Sequence, residues 1–181
     1  MLVPTRVKRV FLDEASIEKV LRHLAGEILN CAEDPERLLL MGIIPYGTVL
    51  AHRIACDVKT ETGVQPHVGS IDIVMESDAP AAQNEFKINR IDLPVSVDGY
   101  DVVVVNDMVQ SGRTAAFAFD LLERLGAPAS INLAVLADRG DDCSLVRGDY
   151  VGESVSIAAD EDIVLYLEEI DGFSEMVICC K

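Results

Sequence analysis

Asn106 and Asp107 stand at the end of four consecutive valines, and four residues later Ser111, Gly112, Arg113 and Thr114 open a run of helical spacing. The types suit a sugar phosphate. Two side-chain oxygens can accept hydrogen bonds from vicinal hydroxyls, while a glycine flanked by hydroxyls at a helix start lets backbone N–H groups approach an anion. The positive end of the helix dipole favours the same charge. Phosphate plus sugar hydroxyls points to a ribose 5-phosphate. The same residues also fit a serine cap behind a turn-forming Asn-Asp pair, so the rest of the chain must decide.

The positioning elements are legible around this stretch. Val102 to Val105 are β-branched and apolar on both faces, which predicts a strand inside a parallel sheet. Phe117, Leu121, Leu122 and Leu125 recur at helical spacing before Gly126, so a strand, a turn and a helix follow one another. Ile17, Val20, Leu21, Leu24 and Ile28 predict an opening amphipathic helix behind Asp13 as N-cap, ending near Asn30. "RLLLMGII" reads as a buried strand broken by Pro45 and Gly47, with a second helix over "TVLAHRIACDVKTET". "GSIDIVM" is a third strand candidate, followed by a long polar excursion over residues 76–94. "SINLAVLA" is a further strand, "DRGDDCSLVRGDY" a loop, and short strands are expected around "IVLYLEEI" and "EMVICC". Strands alternating with helices predict a mostly parallel α/β sheet, and 181 residues predict one domain over 1–181.

Composition narrows the classes. No stretch reaches the ~20 apolar residues of a membrane span, and the first residues lack a signal-peptide core, which points to a cytoplasmic protein. Five cysteines without CxxC pairing, and three scattered histidines, fit reduced thiols and no metal cluster. The net charge of −16 repels polyanions and counts against nucleic-acid binding.

The order and spacing of "LMGIIPYGTVLAHRI", "VGSIDIVM", "VVVVNDMVQSGRT", "INLAVLADRG" and "GDYVGESV" resemble the type I phosphoribosyltransferases, and among them the PyrR group of pyrimidine operon attenuators that are also uracil phosphoribosyltransferases. The resemblance implies about five mostly parallel strands flanked by helices with a small hood. It implies 5-phosphoribosyl 1-pyrophosphate (PRPP) with Mg²⁺, a pyrimidine base or nucleoside monophosphate, and a homodimer or higher homo-oligomer. By the same resemblance Ser111, Gly112, Arg113 and Thr114 cradle the 5′-phosphate and Asn106 and Asp107 meet the ribose. Pro45, Tyr46 and Gly47 form the pyrophosphate loop. Tyr150 and Val151 are base-binding hood positions, with Asp138 and Arg139 beside them.

The departures from the family pattern are specific. Asn106-Asp107 stands where the family has two acids, Pro45-Tyr46-Gly47 where it has Thr-Arg-Gly, and Glu76-Ser77 where it has Tyr-Arg. Each weakens the stabilisation of a highly charged leaving group, although Lys87 or Arg90 could compensate. RNA-contact positions fall on Gly26 and Asp142. Two readings stay open: a transferase of pyrimidine metabolism, and a nucleotide-binding regulatory relative with weak or no transfer. RNA attenuation fits neither the charge nor these positions.

Overall fold

The computed structural model describes residues 7–75, 86–139 and 145–180. The order is β1 (Val7–Asp13), α1 (Glu14–Cys31), β2 (Leu38–Ile43), α2 (Tyr46–Thr62), β3 (His67–Met75), β4 (Phe86–Asp92), β5 (Asp101–Val109), α3 (Arg113–Leu125), β6 (Ser130–Asp138), β7 (Tyr150–Ser154), β8 (Glu161–Tyr166), α4 (Glu168–Asp171) and β9 (Glu175–Cys180). Asp13 caps α1 as expected, its Oδ1 accepting from the Ser16 N–H at 2.9 Å.

Six strands form the large sheet in the order β4-β3-β2-β5-β6-β7. All its neighbours run parallel except β3 and β4. The alternation of side chains splits its core into two layers. Leu38, Leu40, Val103, Val105 and Leu136 face α1 and α2, which supply Ile17, Leu21, Leu24, Leu50 and Ile54. Leu39, Met41, Val102, Val104 and Leu133 face Ala115, Ala118 and Leu122 of α3. A three-stranded antiparallel sheet, β1-β9-β8, joins the first layer through Leu12, Ile163, Leu165, Met176 and Ile178, while the expected hood positions Tyr150 and Val151 lie on β7 of the large sheet.

Three elements differ from the sequence expectation. The polar excursion contains strand β4, and two further strands, β1 and β7, precede the opening helix and follow the 138–150 loop. All three are edge strands. An edge strand tolerates charge and needs little continuous apolar sequence, which is why "FKINRID" and "VKRVFLD" read as polar.

Candidate functional site

Chain order reverses between β2 and β5, where β2 is flanked by β3 on one side and β5 on the other. In open α/β sheets the crevice outside the carboxyl ends at such a switch point is the usual ligand site. Pro45 is the N-cap of α2, and Tyr46 and Gly47 are its first residues, so the expected pyrophosphate loop is a helix start directly after β2. Asn106 and Asp107 lie near the carboxyl end of β5, and topology brings the two expected segments together. Their approach depends on glycine. A Cβ on Gly47 would overlap the Val105 carbonyl and crowd the Asn106 Cα at 3.3 Å, and one on Gly42 would overlap the Thr48 backbone. Gly47→Ala should therefore cost about 1–3 kcal/mol and displace the end of β5. Urea unfolding measures it, and wild-type stability would contradict the packing.

The turn after β5 has the predicted form. Gly112 is the N-cap of α3 with φ +68°, the left-handed region that favours glycine, and no side chain caps the helix. Its carbonyl accepts from the Ala116 N–H at 2.9 Å, starting the helical ladder. Ser111 and Arg113 are exposed, Thr114 is half-buried and Gly112 is buried. A helix start of this kind presents first-turn N–H groups without intrahelical partners. Asp138 ends β6 in register with Val109, and the Arg139 N–H donates to the Val109 carbonyl at 3.2 Å. The Leu145 N–H donates to the Ser111 carbonyl at 2.9 Å, so the following loop is tied to the turn.

Asn106 and Asp107 are both half-buried. The Asn106 amide donates to the Met108 carbonyl at 2.9 Å, and Asp107 Oδ1 accepts from the Met108 N–H at 2.8 Å. Burial pushes the Asp107 carboxyl above its ordinary value of 3.8, against the smaller effect of the Met108 N–H. A carboxyl raised in the folded state favours folding while protonated, below the ordinary value, and that contribution is lost as pH rises through the folded value. Asp107→Asn is thus expected to melt above wild type at pH 7, with the gain vanishing below about pH 4. A gain that persists in acid would contradict it.

Tyr46 differs from an arginine in its surroundings as well as in its chemistry. Burial raises its phenol pKa first, followed by the Asp171 carboxylate, a hydrogen bond with Asp171, and Asp107. Asp171 belongs to α4, which the bidentate Arg53–Glu169 pair at 2.9 and 2.6 Å ties to α2. The loop expected to hold pyrophosphate thus faces carboxylates. Asp171 had no local signal in the sequence, since it lies far from Tyr46 along the chain. For Mg²⁺ the donor set fits a cation that arrives on its substrate. Such ions keep substrate and water oxygens and need one or two carboxylates, which Asp107 can supply. Among the described residues no group of three His, Cys, Asp or Glu converges on a metal.

Other expected residues lie elsewhere. Tyr150 is paired opposite Ala134, well short of the carboxyl end of β6, and is 7% exposed among Ile28, Leu38 and Val103. It lines a cavity of about 480 Å³ at the opposite, amino-terminal edge of the sheet, with Cys31, Asp101, Asn132 and Asp149. Burial, then contact with the Cys31 thiol, raises its phenol pKa. Tyr150, the position expected to stack on the base, thus turns its ring toward α1 and the amino-terminal edge of the sheet. Val151 points to the other layer and packs against the α3 side of the core. Lys87 and Arg90 stand opposite Val74 and Asp72 on β4, two strand spacings, roughly 10 Å, from β2. Glu76, Ser77 and Asp142 lie outside the described residues. Sequence reasoning missed Phe86, whose ring sits 5.3 Å from the Arg113 guanidinium carbon and 5.6 Å from the Phe117 ring.

Residues 11–164 match the phosphoribosyl transferase domain family. The Bifunctional protein PyrR of Halalkalibacterium halodurans is 36% identical over 175 residues, covering 95% of this chain and 97% of its own. That of Clostridium beijerinckii is 34% identical over 177 residues, covering 97% and 99%. Among solved structures, a hypoxanthine phosphoribosyltransferase from Staphylococcus aureus superposes with a TM-score of 0.74 at 20% identity, covering 97% of this chain and 92% of that one. One from Trypanosoma cruzi gives 0.77 at 15% identity, covering 96% and 95%. At such identities the structural likeness speaks to the fold alone, which is the one described above. No described helix is long and apolar enough to cross a membrane. With the family match spanning most of the chain and relatives above 30% identity over nearly all of it, the chain belongs to the type I phosphoribosyltransferase family, alongside the PyrR proteins.

Proposed function

We propose that the carboxyl edge of the large sheet binds a pyrimidine nucleoside monophosphate, and PRPP with Mg²⁺, as a PyrR-like phosphoribosyltransferase of pyrimidine metabolism. The observation that carries this reading is the uncapped start of α3 at Gly112, set beside Asn106 and Asp107 at the switch point. In the reaction the bond from ribose C1′ to pyrophosphate breaks and a bond from C1′ to a ring nitrogen of the base forms. Gly112 to Thr114 would hold the 5′-phosphate, and Asn106 and Asp107 would accept from the ribose hydroxyls. Bound Mg²⁺ would screen the pyrophosphate charge, with Asp107 its protein carboxylate. Positioning and charge stabilisation supply the catalysis in such a transfer.

A second reading is favoured by one feature, the Asp171 and Asp107 carboxylates around Tyr46. They disfavour pyrophosphate more than they disfavour a monophosphate, so nucleotide binding would outlast efficient transfer. Calorimetric titration with UMP, GMP and PRPP, with and without Mg²⁺, separates the possibilities. UMP should bind saturably and more tightly than GMP, and PRPP should bind more weakly than UMP and need Mg²⁺. A preference for GMP, or no heat with UMP, would contradict the assignment.

RNA is not a partner this surface suits. With a net charge of −16 the phosphate-driven term that dominates such binding is repulsive. No gel shift of a pyrimidine-leader RNA is expected at submicromolar protein and physiological salt. A salt-sensitive shift there would overturn this.

A further inference from the structure

We infer that Phe86 is a positioning residue for the phosphate turn, holding the Arg113 guanidinium in place through its ring face. The inference rests on the reading of Gly112 to Thr114 as a 5′-phosphate site. Arg113 and Phe117 are four residues apart on α3 and so share a helix face. The Phe86 ring reaches both: its centroid is 5.3 Å from the guanidinium carbon and 5.6 Å from the Phe117 ring, at an interplanar angle of 37°. These distances fit a cation–π contact and an offset aromatic pair.

Phe86 comes to this place from the far edge of the sheet. It is the first residue of β4 and pairs with Met75, the last residue of β3. The ring is half-buried while Arg113 is exposed, so the contact narrows the set of rotamers open to the guanidinium. An arginine loses considerable rotamer freedom when it grips a phosphate. Fixing it beforehand lowers that cost, which is how preorganisation improves affinity. Phe117 in turn fixes the ring, and it is itself half-buried on the helix that carries the turn. The stack of Phe117, Phe86 and Arg113 thus links the body of α3, the edge strand and the anion cradle.

The role predicts a loss that depends on Arg113. Phe86→Leu keeps an apolar side chain but removes the ring face, and should weaken UMP binding by about two- to fivefold, the size of an exposed cation–π contact. Phe86→Tyr, which keeps the face, should restore wild-type affinity. In a double-mutant cycle, Phe86→Leu should add little in an Arg113→Gln background, because the ring then has no guanidinium to hold. Calorimetry with UMP on the four proteins of the cycle and on Phe86→Tyr gives these numbers, with thermal melting run alongside. Losses that multiply in the cycle would overturn the inference, as would a Phe86→Tyr protein as weak as Phe86→Leu or a Phe86→Leu protein that binds as wild type. If wild type binds no UMP, the phosphate assignment itself falls and takes the role of Phe86 with it. UMP binding without the coupling removes the role of Phe86 alone.

Discussion

Asn106→Asp combined with Tyr46→Arg should raise uracil-dependent turnover of PRPP by about 10²-fold or more, since loss of a single electrostatic donor commonly costs 10²–10³ in rate. The two positions adjoin the same crevice, one near the end of β5 and one at the start of α2, which Gly47 seats against Val105. The first substitution returns a carboxylate toward the ribose and its metal. The second returns a guanidinium fork that matches pyrophosphate oxygens. The structure also limits the gain. The Asp171 carboxylate already acts on Tyr46, helping to raise its phenol pKa, and a guanidinium there would be drawn to the same carboxylate. Adding Asp171→Asn should therefore raise the rate again, an effect that a simple count of restored residues would not predict. Steady-state formation of UMP from uracil and Mg²⁺-PRPP measures all three proteins. An unchanged rate in a folded double variant that still binds UMP would place the cause of weak transfer elsewhere. If wild type already turns over several times per second, weak transfer is wrong at the outset.

Ser111→Asp should weaken UMP binding by about 100-fold or more while leaving the fold intact. The Ser111 side chain is exposed at the turn, and its carbonyl, which accepts from Leu145, is unchanged by the substitution. A carboxylate placed within about 4 Å of a phosphate dianion meets roughly 1–4 kcal/mol of repulsion per charge pair between bulk water and a protein surface. The same carboxylate suits the amino-terminal end of α3, because an acid there complements the helix dipole. The variant should melt at or slightly above wild type. Lost affinity with unchanged melting is the signature of a site effect. Unchanged affinity would mean that the phosphate is held elsewhere.

The central strand and its turn were legible because every local signal agrees: four valines on both faces of the sheet, a glycine at the one position that needs positive φ, and a helical stripe behind it. The missed strands share one property, a place at a sheet edge. Lys87, Asn89 and Arg90 are exposed on β4 while Phe86, Ile88 and Ile91 are half-buried, an irregular alternation that composition alone reads as loop. Tyr150 shows a different limit. Its motif indicated an aromatic near the ligand, but the side it faces is decided by the pairing of β7 with β6, which no local pattern encodes. The carboxylate beside Tyr46 was equally hidden. Asp171 arrives through α4, whose position depends on the Arg53–Glu169 pair, a contact between distant parts of the chain.

A structure of the protein with UMP tests the account most directly. The account predicts the 5′-phosphate at the start of α3, within hydrogen-bond distance of backbone N–H groups of Gly112 to Thr114, and the ribose hydroxyls on Asn106 and Asp107. The nucleotide in the amino-terminal cavity around Cys31 and Tyr150, with the Gly112 turn empty, would contradict it.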